Sequence, residues 1–178
     1  MLTITDSNCR AFFDHWRHLP RGPGGFAPLA SAYLDHAPPA LMPSTFIHEI
    51  VDDGLLIRFM GTQLVERWQR DDTGKVFGGH LDQEARARLV TVAKTIVEHP
   101  CGMLQHGIVT TTAARRVMFE AVLLPLRADA DHPPRVVIYS AFLDRLARKE
   151  HGGKFAAAGE RCWLDIGAGV PSIPPPPG

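Results

Sequence analysis

Near the start of the chain, four apolar residues have the spacing i, i+3, i+4, i+7 that places side chains on one face of a helix: Cys9, Phe12, Phe13 and Trp16. Asp6 or Ser7 can cap this predicted helix, because both side chains accept hydrogen bonds from the free backbone N–H groups of the first turn. A link rich in glycine and proline follows, and Pro28 can open a second, shorter helix. The pattern therefore predicts a helical N-terminal region.

From residue 45 the apolar positions alternate with a period of two, which indicates strands. Residues 45–51 and 55–60 are rich in strand formers, and the Asp-Asp-Gly sequence at 52–54 is typical of a tight hairpin turn. A short helix is predicted over 62–68, and a longer one, capped by Asp82, ends near residue 98. Three further strands are predicted over residues 103–112, 116–126 and 135–143.

The order of these elements predicts the fold class. Two strands and then three strands are grouped, with helices between the groups, so strands and helices do not alternate one by one. Such grouping favours an antiparallel α+β sheet over parallel βαβ units. The last two predicted strands are apolar on both faces, so both faces of the sheet must be covered. We expect the middle helices and any pocket on one face. The N-terminal helix of the same chain, or of a second copy, would cover the other.

Composition narrows the classes of protein to consider. The chain has 178 residues, of which 45% are hydrophobic, and its formal net charge is +0. A nucleic-acid-binding protein normally carries a basic excess, because contacts with phosphates supply much of its affinity. No apolar run approaches the ~20 residues that cross a bilayer, no secretory signal is recognised, and three widely spaced cysteines do not form a disulfide framework. We therefore expect a reduced, cytoplasmic protein that binds neither nucleic acid nor membrane.

The chain divides into three regions by composition. Residues 1–26 contain the N-terminal helix and linker, residues 27–144 form the central α+β domain, and residues 145–178 form a C-terminal tail. The tail contains a charged run, a Gly-Gly pair and a run of prolines, which together predict an extended and partly disordered segment. Its apolar exceptions, which could dock on a surface, are Trp163, Leu164 and Ile166.

Two stretches after the second strand resemble a known family. Residues 58–64 read R-F-M-G-T-Q-L, which matches the pattern R-x-x-G-T-x-L, and residues 71–74 read D-D-T-G, which matches the end of G-x-D-x-T-G. Gln69 stands where the second pattern usually has glycine. Together with the element order, these stretches resemble a bacterial, mostly stand-alone family of PAS domains, from about Phe12 to Asp144. The resemblance implies a five-stranded antiparallel sheet with flanking helices and an N-terminal helical cap.

The motif residues have structural roles that explain them without chemistry. Gly61 lets the chain turn sharply from a strand into a helix, and Thr62 can cap that helix. Asp71 and Thr73 can bond neighbouring backbone N–H groups, and Gly74 can adopt a positive φ. We therefore interpret the motif as a fixed corner of the fold.

The resemblance also implies a function, which is ligand sensing or signalling without catalysis. PAS-like pockets lie between the inner face of the sheet and the middle helices. The residues expected to bind a ligand are Phe46, Arg58, Trp68, His80, His106 and Tyr139. Because most of these residues are apolar or aromatic, we expect a small organic molecule held without covalent attachment. The sequence does not identify the ligand or any cofactor.

Arg58 lies between apolar residues in its strand, and a buried arginine needs a partner. It can pair across the sheet with Glu49 or Glu120, face solvent, or contact an anionic ligand. Nine histidines are present, but none has a recognised metal-ligand spacing with third and fourth partners. We therefore predict no metal site.

Partners and alternative functions remain open at this stage. The apolar face of the N-terminal helix favours a homodimer. No kinase, cyclase or DNA-binding segment is recognised, so the domain would transmit its signal through a signalling partner protein or through self-association. One alternative is a protein-interaction scaffold with a filled core and no ligand. A second alternative, an enzyme on a cupped α+β fold, would need a polar cluster, for which the candidates are His48, Glu49, Arg58, Glu120 and Tyr139.

Overall fold

The structure is a computed structural model that describes residues 2–23, 25–52, 54–79, 81–144 and 152–177, with the side chains of residues 152–158 not described. The elements within these residues, in chain order, are α1 (Ser7–His18), α2 (Ala30–Asp35), a short 3-10 helix (Met42–Ser44), β1 (Thr45–Val51), β2 (Gly54–Met60), α3 (Thr62–Trp68), α4 (Gln83–Glu98), β3 (Gly102–Thr111), β4 (Arg116–Leu126), β5 (Arg135–Phe142) and β6 (Gly152–Leu164). Their order confirms the predicted α+β arrangement.

All described strands join one antiparallel sheet in the order β2-β1-β5-β4-β3-β6. The resemblance implied five strands, and the sixth comes from the segment that the sequence assigns to the C-terminal tail. β6 pairs with β3 through backbone hydrogen bonds, which do not require the alternating apolar side chains that the sequence analysis used to find strands. The three apolar residues of this segment also pack against the sheet: Trp163, Leu164 and Ile166.

Helix α1 covers one face of this sheet from within the same chain. Asp6 caps the helix by accepting hydrogen bonds from the backbone N–H groups of Asn8 and Cys9, at 2.9 and 3.0 Å. Phe12 and Trp16 are fully buried, and the Trp16 indole donates a hydrogen bond to the Pro125 carbonyl on β4 at 3.0 Å. The helix that covers this face therefore belongs to the same chain, which is one of the two arrangements that the sequence predicted.

The strand-to-helix corner after β2 contains the sharp turn expected at Gly61, and close contact with another backbone segment makes it tight. Gly61 has an ordinary φ of −65°, but a Cβ atom there would overlap the backbone carbonyls of Met42 and Pro43. Thr62 is the first residue of α3 and makes no capping hydrogen bond, because Gly61 occupies the cap position. The corner therefore needs glycine for close backbone contact, and not for a positive φ.

The loop after α3 contains the left-handed conformations that its motif predicted. Gly74 has a φ of 82°, and the Asp71 carboxylate accepts a hydrogen bond from the Thr73 N–H at 2.9 Å. Gln69, which stands in place of the usual glycine, ends α3 with a φ of 55°. This chain therefore keeps the backbone turn of the motif, although glutamine is strained in the left-handed conformation that glycine adopts freely.

In the described part of the chain, no helix is both long enough and apolar enough to span a membrane.

Candidate functional site

The two faces of the sheet are packed differently. The outer face, defined here as the face under α1, belongs to one continuous hydrophobic cluster that includes α1, α2 and the central strands. Val122, Leu124 and Val137 on this face are fully buried. The outer face is therefore a filled core.

The inner face, defined here as the face under α3 and α4, carries three separate clusters of buried residues. The first lies under α4 and includes Ile96, Met103 and Val136. The second and third lie nearer α3 and are represented by Phe119 and Leu64. The fully buried residues of this face therefore do not form one continuous core, and half-buried side chains connect the three clusters.

Four half-buried apolar side chains lie where these clusters meet. Leu123 and Ile138 contact the first and second clusters, Phe77 contacts the first and third, and Trp68 contacts the second and third. Leu123 and Ile138 are also paired residues on the adjacent central strands β4 and β5. Large apolar side chains at the centre of a sheet are normally buried, so their partial exposure makes them candidates for contact with a ligand. We call these four residues the candidate pocket.

His48 on β1 supplies a polar group beside the candidate pocket. Its ring lies 4.7 Å from the Phe77 ring and 5.4 Å from the Phe46 ring, measured between centroids. The side chain is almost completely buried, and this burial lowers the pKa of the imidazole to about 4. His48 is therefore uncharged at neutral pH, and its Nε2 atom has no hydrogen-bond partner.

The sequence reasoning included His48 only in a possible catalytic cluster and not among the ligand-binding residues. The signal that could have found it is alternation along β1, because Phe46 and His48 are two residues apart and share a face.

Phe46 and Trp68 are the predicted ligand-binding residues that the structure places on the inner face. Phe46 is half-buried and its ring centroid lies 6.2 Å from that of Phe77. Trp68 is the last residue of α3 and belongs to the candidate pocket. His80 lies outside the described residues.

Tyr139 and His106 lie on the outer face, opposite the position that the sequence reasoning gave them. The Tyr139 ring stacks on Phe12 of α1 with centroids 5.5 Å apart, and His106 bonds to the buried carboxylate of Glu120 at 2.9 Å. The error in placement arises because β5 is apolar on both faces, so its alternation does not say which set faces the middle helices. These residues are therefore separated from Phe46 and Trp68 by the sheet.

Arg58 pairs with Glu49 across the β1–β2 hairpin, which is one of the three arrangements that the sequence analysis considered. Its guanidinium donates two hydrogen bonds to Glu49, at 2.9 and 2.6 Å, and Arg135 on β5 donates to the same carboxylate. Hydrogen bonds from Arg58, and further ones from Arg135, hold the pKa of Glu49 below its usual range despite burial. The Arg58 side chain is 46% exposed and lies on β2, which is an edge strand of the sheet.

The polar residues considered for catalysis do not form one cluster. His48 lies on the inner face, Glu49 and Arg58 form an ion pair at the hairpin, and Glu120 and Tyr139 lie beneath α1. No group of three or more His, Cys, Asp or Glu side chains in the described ranges could hold a metal ion. The inner face therefore presents half-buried apolar and aromatic side chains beside one neutral imidazole.

Comparison with known proteins identifies the fold family. A family model described as a PAS domain matches residues 4–138, which include α1 and most of the sheet but not β6. A search of curated proteins and a search of solved structures found no match. The matched region covers more than half of the chain, and the antiparallel sheet with helices on both faces agrees with it. The chain therefore belongs to the PAS-domain family.

Proposed function

We propose that this domain is a sensory module that binds a small, mainly apolar organic molecule in the candidate pocket and signals the bound state to a partner protein. The observation that carries this proposal is the contrast between the faces of the sheet. The outer face is one filled cluster, whereas the inner face is divided at Trp68, Phe77, Leu123 and Ile138. An opening lined by apolar and aromatic side chains with few polar groups is the usual form of a small-molecule site.

This arrangement favours sensing over the two alternatives. A scaffold protein with a filled core would have no reason to leave Leu123 and Ile138 partly exposed at the centre of its sheet. An enzyme would need an acid, base or nucleophile near His48, and the other polar candidates lie elsewhere. The proposed domain therefore binds its ligand without changing it.

The proposed setting is a reducing compartment such as the cytoplasm. Cys9, Cys101 and Cys162 are free thiols, and burial raises the pKa of each, which keeps them protonated and unreactive. Because the apolar face of α1 is buried inside its own chain, a homodimer would have to use another surface. We therefore place the output of the domain in contacts with a partner protein.

A thermal-shift screen of small organic molecules, haem and flavins tests the proposal. A ligand present at one hundred times its dissociation constant should stabilise the fold by about 2.7 kcal/mol. The test variant is Leu123→Trp, which fills the candidate pocket, and the matched control is Met118→Trp, which adds the same side chain at an exposed position of the same strand.

The expected result is a ligand that raises the melting temperature of the wild type and of Met118→Trp, but not that of Leu123→Trp. Native mass spectrometry of the purified protein provides a second readout, because a retained ligand adds a discrete mass to the wild type. If no compound shifts the melting temperature and no added mass is found, the scaffold alternative replaces the sensor proposal.

A further inference from the structure

His48 presents a hydrogen-bonding group that the fold leaves unused. Its side chain is only 2% exposed, and Nε2 has no partner and no contact with solvent. A buried polar atom without a partner destabilises a folded protein, and such groups are uncommon in native cores. The atom is therefore a candidate contact for a molecule that enters the site.

The Phe77 side chain lies over this imidazole. The two ring centroids are 4.7 Å apart and the rings are inclined by 36°, so Phe77, which belongs to the candidate pocket, packs directly against His48. The backbone of Phe77 is fixed, because its N–H donates to the Leu55 carbonyl on β2 at 2.7 Å. Its side chain is only half-buried, however, and can rotate without breaking this backbone bond.

The geometry points to a ligand that displaces the Phe77 ring and hydrogen-bonds to His48 Nε2, namely an uncharged aromatic molecule that carries a hydroxyl group. This inference rests on the proposed function, because it identifies the chemistry of the molecule bound in the candidate pocket.

The aromatic character follows from the side chains that would surround the ligand. Phe46, Phe77 and Trp68 are all half-buried and present rings that a flat molecule can contact by stacking or edge-on. A hydroxyl group suits His48 in either tautomer, because it donates to a bare nitrogen and accepts from an N–H. The aromatic side chains and the imidazole of His48 therefore both favour an aromatic molecule that carries a hydroxyl group.

The absence of charge follows from the groups available to balance it. The described strand residues on the inner face include no Asp or Glu that could pair with a cationic ligand. Several arginines lie on this side of the sheet, and two of those nearest the strands have partners within the chain. Arg67 is stacked on the Phe142 ring, with its central carbon 4.1 Å from the ring centroid, and Arg161 bonds to Gln105 and to the Pro176 carbonyl. A further arginine, Arg86 on α4, has its Nε atom buried without a hydrogen-bond partner, so benzoate is included among the probes below to test whether it binds an anion. Burial keeps His48 neutral, so it adds no charge to attract a carboxylate.

Three probes that share one ring separate these features: p-cresol, toluene and benzoate. Each is titrated into ¹⁵N-labelled protein and followed by NMR, including the imidazole nitrogens of His48. p-Cresol prefers water more than toluene does, so tighter binding of p-cresol requires a polar contact in the site. We expect its dissociation constant to be roughly fivefold lower than that of toluene, which is the effect of one ordinary hydrogen bond. Benzoate should bind more weakly than both.

His48→Phe removes the imidazole but keeps a ring of similar size against Phe77. In this variant toluene should still bind, and the preference for p-cresol should disappear. His99→Phe, which makes the same change at an exposed residue, should keep the wild-type preference. If His48→Phe does not fold, the nitrogen shifts of His48 in the wild type decide the question, because p-cresol should move them and toluene should not.

Two results would overturn the inference in ways that can be told apart. If toluene binds as tightly as p-cresol, or benzoate binds more tightly than either, the assignment of His48 and of an uncharged hydroxylated ligand is wrong while the pocket remains. If none of the probes binds and Leu123→Trp changes no ligand response, the inference and the proposed function are both wrong.

Discussion

Substitution of Glu120 tests how the N-terminal segment is fixed to the outer face of the sheet. The Glu120 carboxylate is completely buried and accepts four hydrogen bonds. The Thr5 N–H and hydroxyl donate at 2.9 and 2.7 Å, the Asp6 N–H donates at 2.9 Å, and His106 Nε2 lies 2.9 Å away. The Glu120 side chain on β4 therefore accepts hydrogen bonds from the backbone N–H groups immediately before α1.

The expected cost of Glu120→Ala follows from the groups that it leaves without partners. The backbone N–H groups of Thr5 and Asp6 would lose their acceptor in a partly dry environment, at about 1–3 kcal/mol each. His106 is partly exposed and can bond to water, so it adds little. We therefore expect Glu120→Ala to lower the free energy of unfolding by about 3–5 kcal/mol, in the range typical of a broken buried charge interaction. Glu120→Gln keeps one acceptor oxygen and should cost about 1–3 kcal/mol.

The pH dependence of stability provides a second measurement on the same group. Burial would raise the pKa of Glu120, but the hydrogen bonds from His106, Thr5 and Asp6 outweigh it and hold the pKa below its ordinary value. A carboxyl group with a lowered pKa stabilises the fold above its ordinary pKa and loses this contribution as the pH falls through the folded-state pKa. The stability of Glu120→Gln should therefore fall less steeply than that of the wild type on acidification below about pH 4.5.

Urea unfolding at several pH values measures both effects, and hydrogen exchange reports on the Thr5 and Asp6 amides directly. These amides should be protected in the wild type and exchange faster in both Glu120 variants. Glu98→Gln, at an exposed position on α4, is the control and should lie within about 0.5 kcal/mol of the wild type. A Glu120→Ala variant as stable as this control would refute the role assigned to the carboxylate.

Three further predictions concern the corner, the loop and the N-terminal helix. Gly61→Ala should lower the free energy of unfolding by about 2–4 kcal/mol, because the added methyl group would overlap the Met42 and Pro43 carbonyls, and an unchanged urea midpoint would contradict this. Gln69→Gly should raise the melting temperature by relieving about 1 kcal/mol of left-handed strain, and a lower melting temperature would show that the Gln69 side-chain bond to the Glu66 carbonyl matters more. Deletion of residues 1–20 should unfold or aggregate the chain, because it uncovers the outer face, and a truncated protein that stays folded and monomeric by circular dichroism and light scattering would contradict this.

Most of the secondary structure was predictable because its local signals agree with the tertiary structure. The runs of strand-forming residues over Thr45–Val51 and Arg116–Leu126 match the observed strands, and the capping positions of Asp6 and Asp82 match the starts of α1 and α4. The need for glycine at the corner was also predicted, but the segment that causes it was not. Gly61 is required by a backbone that approaches from elsewhere in the chain, which no local pattern contains. β6 was missed for a similar reason, because its partner strand β3 determines it.

The candidate site was less predictable because both faces of the central strands are apolar. Alternation assigns Val137 and Tyr139 to one face and Val136 and Ile138 to the other, but it does not say which face receives α4. Polar residues do not identify the inner face either, because Glu120 is buried on the outer face and His48 is buried on the inner face. Only the position of α1, which closes the outer face completely, decides between the two assignments.

The candidate pocket consists of half-buried side chains that come from several distant segments at once. Trp68 ends α3, Phe77 follows a turn, and Leu123 and Ile138 lie in the middle of paired strands. Each of these residues taken alone has the sequence character of an ordinary core residue, and each contacts two of the three inner clusters. Their partial burial depends on how α3, the segment after it and the central strands come together, which no single stretch of sequence contains. The residues of the candidate pocket are therefore found only in the fold.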